Sequence, residues 1–380
     1  MIEDLKNFKI NWIDGMKISK EHFQNLQDYA ANRSKDVSSV HMHRHGYGLL
    51  AAYLSEPHEF AVNIDAHKSL KISIKKLRAI TPNGNRIAIT EQTPAVKQEL
   101  IVEEFADKKL EEGYVLLNLD VENPIAFGEQ DPKEIPPRHP FLTDGHYFTF
   151  ANAQQLAKSD LGGNQIPIAK IIKDGNALIT DTAYIPPATT LGAHSSLIDF
   201  YNETESFLKM AERNAILIVQ KIMTKQSDNP IADAMHIVVD KIYAYLAQQI
   251  TMVKWEEYHL HPKKLMAVLV SFARLFKGSV DVSSPQNKEE LFNYFGEWTD
   301  LKGGDYEKLF TDIINLEYAH LDINQNIQAL SAFMNTIDRL FTILTQVDYI
   351  GKRRDMGIFV NENKVDQKSG KSRGTSFLAE

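Results

Sequence analysis

The dominant hydrophobic period of this chain changes between Pro186 and Ser195, and that switch limits what it can fold into. Before it, apolar residues recur at every second position. Ala61-Val62-Asn63-Ile64 and Leu70-Lys71-Ile72-Ser73-Ile74 alternate, and Arg86-Ile87-Ala88-Ile89 resumes the pattern after Pro82-Asn83-Gly84-Asn85. A period of two sorts side chains onto opposite faces of a strand, and the Asn-Gly step marks a hairpin turn. Tyr114-Val115-Leu116-Leu117-Asn118-Leu119 is apolar enough for a strand covered on both sides, and Asp174-Gly175-Asn176 is a further turn. Short strands at this spacing predict a β-sandwich over residues 1–190. Pro132, Pro136, Pro137 and Pro140 preclude regular structure between Glu129 and Pro140, so an extended loop lying on a neighbouring surface is expected there.

After Pro186-Pro187 the period lies between three and four. Leu197, Tyr201, Thr204, Leu208, Ala211, Ala215, Ile218 and Ile222 are spaced alternately by four and three, the heptad of a coiled-coil seam. The small Ala211 and Ala215 would allow close approach. This stripe is expected to be an oligomer seam, and the alternative is that it packs inside one bundle. Further helices are expected from Asn229-Pro230, from Pro262 to Gly278, after Ser284-Pro285, and between Asp305 and Val347. Asn229 has the side chain of a cap, and a proline in the first helical turn sacrifices no hydrogen bond. The expected class is α+β: a sandwich, a helical bundle and oligomerisation domain over residues 195–350, and a basic tail over 351–380 carrying Lys352-Arg353-Arg354, Lys364, Lys368, Lys371 and Arg373.

Composition excludes several classes. A chain of 380 residues, 43% hydrophobic and 24% charged, is an ordinary globular protein able to bury a substantial core. No apolar run approaches the roughly 18 residues of a membrane span, and Met1-Ile2-Glu3-Asp4-Leu5-Lys6 lacks the regions of a signal peptide, so a cytoplasmic protein is expected. With 0 cysteines there is no disulfide, thiolate metal site or thiol nucleophile. A net charge of -8 argues against a nucleic-acid partner, which needs a basic face.

Motifs of catalysis are missing. His41, His43 and His45 alternate and would share one face of a strand, but no carboxylate or cysteine stands at ligand spacing, so a polar face or subunit contact is the better reading. His259 and His261 flank a helix start, where His261 is expected to cap or pack. Gly46-Tyr47-Gly48 and Gly162-Gly163 lack the lysine and hydroxyl of a phosphate loop. The acidic pairs Glu103-Glu104, Glu111-Glu112 and Glu256-Glu257 are adjacent and diverge on any regular element. No cofactor or metal is expected, and no enzyme.

The amino-terminal segment carries the most specific pattern. Phe8, Ile10 and Trp12 alternate as on a strand, Asp14-Gly15 supplies a turn, and Ser19 can cap a short helix with Phe23, Leu26 and Ala30 on one face. Trp12, Met16, Ile18, His22 and Phe23 either close one end of the sandwich or anchor a contact with a partner subunit.

Written out, Trp12-x-Asp14-Gly15-Met16-x-Ile18-x-x-x-His22-Phe23-Gln24 resembles the amino-terminal signature of TssK, the baseplate subunit of bacterial type VI secretion systems. Two further segments match in family order. Gln165-Ile166-Pro167-Ile168-Ala169-Lys170-Ile171, with Asp181, Tyr184-Ile185-Pro186-Pro187, Leu191-Gly192-Ala193 and Leu197, is similar to the family's passage from strands to helices. His261-Pro262 with Leu265, Leu269 and Leu275 is similar to its His-Pro helix. The resemblance implies a homotrimeric structural adaptor. Its shell sandwich would attach to the TssF/TssG wedge, its helices would form a trimeric middle, and it would link the wedge to the membrane complex at the cytoplasmic face of the inner membrane. The family's carboxy-terminal head has no match here, so an unidentified membrane-complex protein is the expected docking partner. The shell's kinship with phage receptor-binding proteins leaves a second reading open, a phage-tail-like trimer that binds a receptor or carbohydrate.

Overall fold

A computed structural model of the chain describes residues 7–39, 42–52, 57–65, 69–101, 111–158, 161–175, 177–225, 229–299 and 301–351. Two antiparallel sheets form from the first half. The first contains β1 (Gly48–Leu49), β2 (Glu59–Ile64), β3 (Ser69–Ile80), β4 (Arg86–Ile89) and β5 (Val96–Ile101), organised around the long β3. The beginning of β3 lies between β2 and β5, with Leu70 opposite Ile64 and Leu100; its end pairs with β1 and β4.

One irregularity explains how a single strand serves both pairs of neighbours. Glu59 faces Lys76 while Phe60 faces Ile74, so Lys75 is an extra residue in β3. An inserted residue flips every later side chain to the other face. The buried set accordingly shifts from Leu70, Ile72 and Ile74 to Leu77 and Ala79.

The second sheet has the order β7-β6-β8-β9, with β6 (Glu112–Phe127), β7 (Phe141–Asn152), β8 (Gln165–Asp174) and β9 (Ala177–Thr180). A helix, α2 (Ala153–Lys158), follows β7. Gln98 of β5 joins the sheets, accepting from the Phe148 amide through Oε1 at 2.8 Å, and the Thr180 hydroxyl donates to the Val62 carbonyl at 3.0 Å. After β9 the chain returns to β1, where the Leu49 amide donates to the Pro187 carbonyl at 2.7 Å. Gly48 has φ +117°, and a Cβ there would stand 2.1 Å from the Pro187 oxygen, so only glycine allows this closure.

The second half is helical: α3 (Ser195–Lys225), α4 (Pro230–Glu256), α5 (Pro262–Asp281), α6 (Pro285–Trp298), α7 (Gly303–Ile314) and α8 (Ile323–Gln346). The prolines that open α4, α5 and α6 each follow a capping side chain. Asn229 accepts from the Ile231 amide at 3.0 Å, His261 Nδ1 from the Lys263 amide at 3.1 Å, and Ser284 from the Asn287 amide at 3.2 Å. Lys221 of α3 donates to the Leu344 carbonyl at 3.0 Å, the Thr345 carbonyl at 2.7 Å and the Val347 carbonyl, placing a cation on the carbonyls at the end of α8. Phe276 of α5 meets the rings of Phe272, Phe295, Phe310 and Phe341. One continuous buried cluster runs from Leu49 of the first sheet to Ile350, so sheets and helices share a core.

Three expectations need correction. The stripe Leu197, Tyr201, Leu208, Ala211, Ala215 and Ile218 is buried within the chain itself, with Ile222 partly buried against it, where α3 packs on α4 and α8. The heptad spacing marks an apolar face, and spacing alone does not say whether another helix of the same chain covers it. Residues Phe8 to Trp12 form no sheet ladder, because no strand lies beside them among the described residues. The third helix continues through Gly278 to Asp281. The tail from Lys352 onward lies outside the described residues, as do His41, Asn176 and the Glu103-Glu104 pair.

Candidate interaction surfaces

The amino-terminal arm, residues 7–19, leads into a long helix, α1 (Lys20–Ser39), which buries none of its residues. A turn closes at Asp14-Gly15, where the Met16 amide donates to the Ile13 carbonyl at 3.2 Å and Gly15 takes φ +79°. Ser19 stands before α1, and its hydroxyl pairs with His22 Nδ1 at 2.9 Å. His22, three residues on, reaches back with Nδ1 to accept from the Ser19 amide at 3.0 Å, the place that a glutamate fills in a capping box. The Trp12 ring lies 5.9 Å from His22, so the arm folds over the start of its own helix.

That local order leaves a large apolar surface open. Phe8 is 78% exposed, Trp12 47%, Ile18 59% and Phe23 55%, and Ile13, Leu26 and Val37 are exposed as well; Met16 and His22 are half-buried. Such a concentration of exposed aromatic and branched side chains is characteristic of a contact surface. Trp12, Met16, Ile18, His22 and Phe23 all lie on this arm and the first turn of α1.

Two surfaces escaped the sequence reading. The first is the far end of β6 and β7. Residues 113–119 of β6 are buried between β7 and β8, but from Val121 to Ala126 the strand is exposed and has only β7 beside it. Val121, Ile125, Ile135, Phe141 and Leu142 are exposed on this ribbon, and Phe127 and Phe141 meet at 5.6 Å. The second is the outer face of α3, where Met210, Ile216, Leu217 and Met223 are exposed. Their signal was present as apolar residues outside the heptad stripe.

The histidines gather where the sheets meet the helices. His43, His45, His261 and His320 form a ring cluster, with His45 5.4 Å and His261 5.9 Å from His320 and His43 5.8 Å from His261. His320 Nε2 donates to the Tyr47 carbonyl at 2.9 Å while Nδ1 pairs with the Tyr318 hydroxyl at 3.1 Å. His261 Nε2 donates to the His45 carbonyl at 2.8 Å. The cap on α5 requires an unprotonated Nδ1 on His261, and with Nε2 donating to the His45 carbonyl that ring is neutral. Among the described residues no group of three or more His, Cys, Asp or Glu side chains is arranged to hold a metal.

Burial pushes His320 down to about 3; the bond to the Tyr47 carbonyl opposes the shift, and the neighbouring histidines reinforce it. Burial, with Lys263, Arg44, His261 and His43 around it, pushes His45 down to about 4, and burial also lowers His261, which Lys263 and Lys264 face. An unfolded histidine titrates near 6.5, so the unfolded chain binds more protons below that pH and stability falls with it. The contribution of His320 is complete above about pH 6.5 and is lost towards about pH 3 at up to about 1.4 kcal/mol per pH unit. Urea midpoints at pH 7.5 and 5 should show the decline, and His320→Gln should flatten it; equal slopes for the two proteins would refute this role.

A buried ion pair also crosses from sheet to helices. Lys170 of β8 donates to Asp322, before α8, at 2.9 Å and reaches Glu112 at 2.9 Å, and both Lys170 and Asp322 are almost fully buried. Lys170 is the one cation within Gln165 to Ile172.

No protein-family model and no curated protein matches the chain. Solved structures do. A chain of the TssK-TssF-TssG baseplate subcomplex of a type VI secretion system aligns over 89% of this chain and 100% of its own at 16% identity, with TM-score 0.52. A chain of another type VI secretion baseplate complex aligns over 89% of this chain and 100% of its own at 18% identity, with TM-score 0.50. A crystal structure of TssK aligns over 88% of this chain and 69% of its own at 16% identity, with TM-score 0.49. No helix among the described residues is long and apolar enough to cross a membrane. The solved structures that this chain resembles include chains of type VI secretion baseplate complexes, and what it shares with them is the fold.

Proposed function

We propose that the chain is a structural subunit of a type VI secretion baseplate, without enzymatic activity. The observation that carries this reading is agreement between two independent signals: a fold similar over 89% of the chain to a chain of a TssK-TssF-TssG subcomplex, and the Trp12 to Gln24 motif placed on an exposed arm. The sheets form the sandwich shell that attaches to TssF- and TssG-like wedge subunits. The helices form the middle of a homotrimer, and the arm of Trp12, Met16, Ile18, His22 and Phe23 is a subunit contact. The assembled protein links the wedge to a membrane-complex protein at the cytoplasmic face of the inner membrane. Because the heptad stripe is covered from within, a trimer would use outward surfaces such as Met210 and Leu217.

Light scattering should give three times the 43.2 kDa chain mass. Mixing the purified chain with the wedge subunits of its own host should shift all three into one earlier-eluting peak. A monomer that elutes apart from the wedge would contradict the reading.

A further inference from the structure

The chain leaves two apolar surfaces open at once, and their charges are opposite. Over residues 7–19 the arm has two lysines, Lys9 and Lys17, against one carboxylate, Asp14. The β6–β7 ribbon, residues 120–144, has six carboxylates, Asp120, Glu122, Glu129, Asp131, Glu134 and Asp144, against Lys133 and Arg138. Both are described, and neither covers the other: Trp12, Phe8 and Ile13 stay exposed on the arm, and Phe141, Leu142 and Ile135 on the ribbon. A two-stranded ribbon with solvent on both faces is marginal on its own, and an acidic apolar ribbon is matched by a basic apolar arm.

We propose that the arm of one copy lies on the β6–β7 ribbon of a second copy of this chain. The contact is heterologous, so repeating it around a three-fold axis closes a ring in which every arm and every ribbon is occupied. Aromatic and branched residues exclude water at its centre, and the lysines and carboxylates at its rim select the partner and the direction of approach. Each protomer then holds its neighbour through a segment that leaves its own core intact. The proposal deepens the reading of the arm as a subunit contact and does not depend on the baseplate assignment.

The absence of cysteine makes a direct test available. Full-length Trp12→Cys and Leu142→Cys chains, carrying different tags, are coexpressed, purified and oxidised. A disulfide-linked pair containing both tags can arise only between copies, and it is the expected product. Trp12→Cys with Lys308→Cys, an exposed residue of α7, supplies the background. Reversing Lys9 and Lys17 to glutamate should lower the linked yield on the order of tenfold, and reversing Glu122 and Glu129 to lysine in the partner chain should restore it. Light scattering on the same samples separates the outcomes. A trimer without the mixed link overturns the arm contact and leaves the trimer standing, whereas a monomer overturns both. Linkage only within a single chain in the Trp12→Cys/Leu142→Cys double variant would also overturn the proposal, as would wedge binding lost on arm deletion with no link between copies.

Discussion

Ile218→Asp is expected to unfold the chain rather than dissociate an assembly. Ile218 is 0% exposed on the face of α3 that packs against α4 and α8 within the same chain. Removing the side chain costs about 2–5 kcal/mol in lost burial and residual cavity, and an unpaired carboxylate in an apolar site adds several more. The sum is comparable to the 5–15 kcal/mol that separates a typical domain from its unfolded state. Circular dichroism at 25 °C should therefore show loss of cooperative structure. The neighbouring Leu217→Asp provides the contrast. Leu217 is 40% exposed, so this substitution should change stability by less than about 1 kcal/mol and act, if at all, on the oligomer mass. A folded Ile218→Asp monomer would restore the seam that the heptad spacing predicts.

Asp322→Ala should cost about 3–5 kcal/mol, because it strands a buried ammonium. Burial on its own would lower the Lys170 pKa, but the hydrogen bonds from Asp322 and Glu112 outweigh it and hold the pKa above its ordinary value. A folded pKa raised above the unfolded value of about 10.4 means that the stabilisation is complete below that pH and lost as pH rises through the folded value. The full penalty is thus expected at neutral pH. Glu112 is half-exposed and only partly replaces Asp322. Lys170→Met combined with Asp322→Leu removes both charges and should recover most of the loss, since an apolar pair of similar size is often at least as stable as a buried ion pair. Urea midpoints for the two single variants and the double variant would measure this. Additive losses would refute the pairing.

Local rules were strongest where one residue decides one geometry. The prolines at 230, 262 and 285 and the residues before them announced three helix starts, and Asn83-Gly84 announced the β3–β4 turn. Even the bulge in β3 was written in the sequence, because Lys75-Lys76 breaks the alternation where an extra residue enters. What failed needed knowledge of the partner. The α3 stripe declared an apolar face without naming the helix that covers it, and Phe8, Ile10 and Trp12 had strand spacing with no strand beside them. The β6–β7 ribbon was missed because Glu122, Asn123 and Pro124 interrupt the apolar run of 114–119, and nothing local says that β6 continues past them to Phe127 beside β7 after β8 has ended. The His261 cap was foreseen; its stacking with His320, 59 residues away in sequence, depends on the tertiary fold.

The central claim is best tested by purifying the tagged chain from its native host in mild detergent and identifying the chains that come with it by mass spectrometry. Recovery of TssF- and TssG-like wedge subunits is the predicted result, and a membrane protein among them would identify the docking partner. Recovery of phage tail or surface-glycan components without wedge subunits would contradict the baseplate assignment and move the protein to the receptor-binding class.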